Sequence, residues 1–89
     1  MTRHDQLPIP DPVEHDPGSF QLLSVWIASG NQHIALRAEV WDDPAAWGLM
    51  LADLARHIAS TYELDNGTDR STTLKRLKAG FDVELGDIG

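Results

Sequence analysis

Residues 20–41 read Phe20-Gln-Leu-Leu-Ser-Val-Trp-Ile-Ala-Ser29-Gly30-Asn31-Gln-His-Ile-Ala-Leu-Arg-Ala-Glu-Val-Trp41. Two runs rich in β-branched and aromatic residues, 20–29 and 32–41, flank Gly30-Asn31. Both runs are predicted strands, with rough alternation and no proline. Gly30 and Asn31 adopt positive φ readily, so they read as a two-residue hairpin turn. That turn pairs Ile27 with Ile34, Val25 with Leu36 and Leu23 with Ala38, an apolar face throughout. The opposite face pairs Ala28 with His33, Trp26 with Ala35, Ser24 with Arg37 and Leu22 with Glu39. A slip of one residue would turn polar side chains inward, so the hydrophobic pattern specifies which face is which.

Downstream, Trp41-Asp-Asp-Pro-Ala-Ala-Trp47 opens a helix. Asp43 suits the N-cap, where a carboxylate accepts from unpaired backbone N–H groups. Pro44 suits the first helical position, whose N–H has no partner in any case. The spacing predicts a helix over about 44–62. Trp47, Met50, Leu51, Leu54, Ile58 and Tyr62 form its apolar stripe. Gly48, Ala52, Ala55 and Ala59 form a second row of small residues, open to close approach by a sheet, a helix or another chain. Asp65-Asn-Gly67 has the chemistry of a left-handed stop. Thr68 or Asp69 then caps a second helix over about 69–85, with Leu74, Leu77, Phe81 and Leu85 in phase through Gly80. The expected architecture is α+β, in the order ββαα, with one layer of helix on one layer of sheet.

Upstream lie four of the five prolines, Pro8, Pro10, Pro12 and Pro17. Residues 1–17 carry Arg3 against Asp5, Asp11, Glu14 and Asp16, a net −3. Residues 1–19 therefore read as a disordered, Pro-rich acidic arm, because too little apolar surface is present to offset ordering. Residues 20–86 read as a single small domain, with 86–89 expected to fray.

The whole chain has 89 residues, 42% of them hydrophobic, and a net charge of −7. Cysteine is absent, which excludes disulfides, thiolate nucleophiles and Cys-based metal sites. No apolar run approaches the roughly 18 residues needed to span a bilayer. Nor does the N-terminus have a secretory h-region, so a cytoplasmic setting without membrane contact is expected. The acidic balance opposes nucleic acid, whose phosphates call for clustered Lys and Arg. Arg70, Lys75, Arg76 and Lys78 are a local exception, suited either to solvent or to an acidic partner.

The segments Val25-Trp-Ile-Ala28, Trp41-Asp-Asp-Pro-Ala-Ala-Trp-Gly48, Asp53-Leu-Ala-Arg-His-Ile-Ala59 and Leu77 through Gly80-Phe-Asp-Val-Glu84 carry a resemblance. Over residues 20–85 the chain resembles a small bacterial family known only as a domain of unknown function. The resemblance implies a compact cytoplasmic domain of about this length. It transfers no activity, cofactor or catalytic residue.

Candidate chemistry is sparse. Asp53 and His57 are four apart on the first helix, with Arg56 beside them. They could form an Asp-oriented general base or half of a metal clip. They also read as an ordinary surface carboxylate–imidazole pair. His4 and His15 lie in the arm and His33 near the turn, so a third metal ligand is lacking and no metal or cofactor is expected. There is no Gly-x-Ser-x-Gly elbow, His-Glu-x-x-His pair or Gly-rich phosphate loop.

The more informative residues are aromatic. Leu22, Trp26, Ala35 and Trp41 share the mixed face of the hairpin, which two helices on the other face would leave uncovered. They are the interface candidates. The sequence thus points to a non-enzymatic protein-interaction or regulatory module, a homodimer or a binder of another protein. The alternative is a small enzyme or ligand-binding subunit using Asp53, Arg56 and His57.

Overall fold

The computed structural model describes residues 5–86. His4 in the arm, and the expected fraying at 87–89, lie outside the described residues. The chain divides after Val40 into two units.

The first unit holds one turn of helix, α1 (Asp11–Glu14), and a hairpin of β1 (Leu23–Ala28) and β2 (Asn31–Leu36). The turn is Ser29-Gly30, with φ of 54° and 76°, not Gly30-Asn31. Positive φ at both central residues is the signature of the turn whose twist matches the flanking strands, and Gly at the second position suits it. The register moves accordingly. Leu23 faces Leu36, Val25 faces Ile34, Trp26 faces His33 and Ala28 faces Asn31. The expected pairs of Trp26 with Ala35 and Val25 with Leu36 are therefore not made. The shift is two residues, so each side chain keeps its expected face.

Both strands are shorter than expected. Beyond them, the Arg37 amide donates to the Leu22 carbonyl at 3.0 Å and Arg37 Nε donates to the Gln21 carbonyl at 2.9 Å. Residues 38–40 then coil into a 3-10 turn, Ala38–Val40, so Trp41 is not a strand residue. On the face predicted to be interior, Val25 is 51% exposed, Ile27 70% and Ile34 61%. A two-stranded ribbon has no second sheet or strand of its own to bury a face against, and alone it is marginally stable in water.

The second unit is a helix pair, α2 (Ala45–Asn66) and α3 (Arg70–Leu85), joined by residues 67–69. Asp43 Oδ1 accepts from the Ala45 amide at 3.0 Å, and Pro44 already has helical φ and ψ, as their order in sequence predicts. The helix continues to Asn66, four residues past the expected end, and stops at Gly67 with φ 71°. Asp69 caps α3, its Oδ2 accepting from the Thr72 amide at 3.1 Å. The helix runs through Gly80 to Leu85. Among the described residues no helix is long and apolar enough to cross a membrane.

Ala59 is the one buried hydrophobic residue described, and Thr73 the one buried polar residue. Those two mark the line along which α2 and α3 pack. Of the small row of α2, Ala59 is buried and Ala55 half-buried, while Gly48 and Ala52 are exposed. Ala59 and Leu51 lie about 80° apart around a helix of 3.6 residues per turn. The large apolar stripe is therefore left to one side of that contact, with Leu51, Leu54 and Tyr62 nearly half exposed.

Candidate functional site

The polar cluster on α2 is an exposed network. Asp53 Oδ1 lies 3.7 Å from an Arg56 guanidinium nitrogen, and Asp53 Oδ2 lies 3.5 Å from His57 Nε2. The His57 side chain is 76% exposed and that of Asp53 65%. A general base works when it is held against its substrate with water controlled, and nothing encloses this imidazole. Exposed pairs of this kind contribute about 0–1 kcal/mol. His15 Nδ1 sits 2.9 Å from the Asp11 carbonyl and His33 Nε2 sits 3.3 Å from that of Ala28. Among the described residues no three His, Cys, Asp or Glu side chains are grouped to hold a metal ion.

Of the four interface candidates, three belong to the first unit and one to the second. Trp26 and Ala35 lie on one face of the hairpin, Trp26 opposite His33 and Ala35 opposite Ser24. Leu22 is half-buried just before β1. Trp41 belongs to the second unit and meets Trp47 edge-to-face, with centroids 4.9 Å apart and planes at 82°. In the first unit, the arm residues Leu7–Pro10 line a hollow of about 640 Å³ with Phe20, Leu23, Val25 and Trp26.

The feature that sequence reasoning missed is a groove of about 590 Å³ within the helix pair. Leu51, Leu54 and Ile58 of α2 line it with Leu74, Leu77 and Phe81 of α3. Phe81 is 54% exposed. Arg56, Lys78 and Asp82 also line it. Lys78 Nζ donates to Asp82 Oδ2 at 2.8 Å, and that bond, reinforced by the carboxylate's charge, holds the lysine above its ordinary pKa. The apolar stripes were visible in the sequence. Their openness was not, because a stripe at helical spacing reads as covered core.

The sequence profile of a Domain of unknown function (DUF5076) matches residues 6–87. The chain belongs to that family. Among curated proteins no relative matches. A solved structure from the photosynthetic bacterium Rhodopseudomonas palustrus CGA009, described there as "a putative pyruvate dehydrogenase", is similar. It is 32% identical, with a TM-score of 0.76, over 98% of this chain and 88% of that one.

Proposed function

We propose that this chain, as a member of that family, is a protein-interaction module with no catalytic chemistry of its own, acting as a homodimer. The observation that carries this reading is the lack of a core. Among the described residues no large side chain is fully buried, although 42% of the chain is hydrophobic. Small domains without disulfides are held by packing, within the chain or against another. Contiguous exposed apolar surface on a soluble protein serves contact. The interface candidates Leu22, Trp26, Ala35 and Trp41, the setting in the cytoplasm, and the exclusion of nucleic acid and membrane as partners belong to the same proposal.

The description of the bacterial relative favours a second reading, a small enzyme or ligand-binding subunit built on Asp53, Arg56 and His57. The exposure of that cluster weighs against it. Amide and imidazole NMR shifts of the full chain, with and without excess pyruvate, test the choice. A module without a small-molecule site leaves Asp53–His57 unmoved. Saturable shifts centred on His57, lost in His57→Ala, would overturn the interaction reading.

A further inference from the structure

We propose that the groove between α2 and α3 is the self-association surface, occupied by the same groove of a second copy. This rests on the reading of the chain as an interaction module and names the surface and partner. Ala59 and Thr73 mark the α2–α3 contact. The larger side chains of both helices, Leu51, Leu54 and Ile58 with Leu74, Leu77 and Phe81, are left around an open trough. The stripe continues at helical spacing through Tyr62 on α2, 49% exposed, and Leu85 on α3, 52% exposed.

The exposed apolar area is a large part of what a dimer needs. A large side chain carries on the order of 100 Å² of apolar surface. Five of the eight, Leu51, Leu54, Tyr62, Phe81 and Leu85, are about half exposed and Ile58, Leu74 and Leu77 less so, which offers roughly 300 Å² per copy. A specific interface takes about 800 Å² from each partner, of which about 56–58% is apolar, or roughly 450 Å².

The charges select the occupant. A two-fold contact sets a surface against itself, so a rim of one sign would repel its own copy. This rim carries both signs: Arg56 with Asp53, and Lys78 with Asp82. A rim of both signs allows a self-contact that sets cations against carboxylates. A basic or an acidic partner would leave half of the rim opposed by like charge.

The test is sedimentation equilibrium of the full chain, of Phe81→Glu and of Trp26→Glu, at about 100 μM. The wild type and Trp26→Glu are expected to be dimers, and Phe81→Glu to dissociate at least tenfold more readily. A wild-type monomer would overturn both this surface and the homodimer reading. A Phe81→Glu dimer as tight as wild type would overturn the groove alone, whether or not Trp26→Glu dissociates. Should Phe81→Glu fail to fold, single cysteines decide, since the chain has none of its own. A short bismaleimide should join copies of Leu54→Cys and not copies of Leu64→Cys, whose site is 85% exposed and outside the groove. The opposite pattern would overturn the proposal.

Discussion

Trp41 and Trp47 meet edge-to-face across the start of α2, centroids 4.9 Å apart. One ring precedes the Asp43 cap and the other sits in the first turn. The contact therefore pins the incoming chain to the helix much as a hydrophobic staple does. Aromatic pairs of this geometry are worth about 0.5–1.5 kcal/mol beyond their area. Denaturant melts of Trp41→Ala, Trp47→Ala and the double variant should give a coupling in that range. Strict additivity of the two single losses would show that the rings pack independently.

The caps should rank in a fixed order. Asp43 and Asp69 each accept a backbone N–H through the side chain. Asp43→Ala and Asp69→Ala should each cost about 1 kcal/mol. Asp42→Ala should cost less, because it removes only charge near the positive end of a helix. Asp42→Ala costing more than Asp43→Ala would move the cap by one residue.

These caps, like the left-handed stop at Gly67, were legible because each is local chemistry within a few residues. The face of every strand residue was legible too, since alternation fixes it. The turn was not: registers two residues apart keep the same faces, and only turn geometry separates Trp26 facing His33 from Trp26 facing Ala35. On α2, either the alanine row or the leucine row could have met α3 by spacing alone. Burial reaches Ala59 of the alanine row, while Gly48 and Ala52 stay exposed along the groove. Hence the groove beside Leu54 and Phe81 was invisible in a sequence whose stripes looked like core.

Two substitutions should stabilise the helix pair. A Cβ at Gly80 would meet nothing within 4 Å, and the residue lies inside α3. Gly80→Ala should add roughly 0.5–1 kcal/mol by restricting the unfolded chain and restoring helix propensity. Thr73 Oγ1 is buried without a hydrogen-bond partner among the described residues. Thr73→Val removes that unsatisfied hydroxyl and should add about 1 kcal/mol. A loss of stability in urea melts of Thr73→Val would mean that the hydroxyl has a partner in solution.

His57 should behave as a surface residue. His57→Ala should change stability by no more than about 0.5 kcal/mol, as surface substitutions do. Zinc added to the full chain should leave its thermal midpoint in place. A large upward shift abolished by His57→Ala would mean that a metal site forms around α2.

If a second copy closes the apolar surface, folding and association are linked, and the dilution dependence of stability is the most direct measure of that link. The thermal midpoint of the full chain, followed by circular dichroism from about 1 to 100 μM, should climb steadily with concentration, because mass action favours the associated native state. Added salt should raise it further at each concentration, by screening the repulsion between copies that each carry a net −7. A midpoint that stays constant across this range would contradict the homodimer and leave the groove to some other chain.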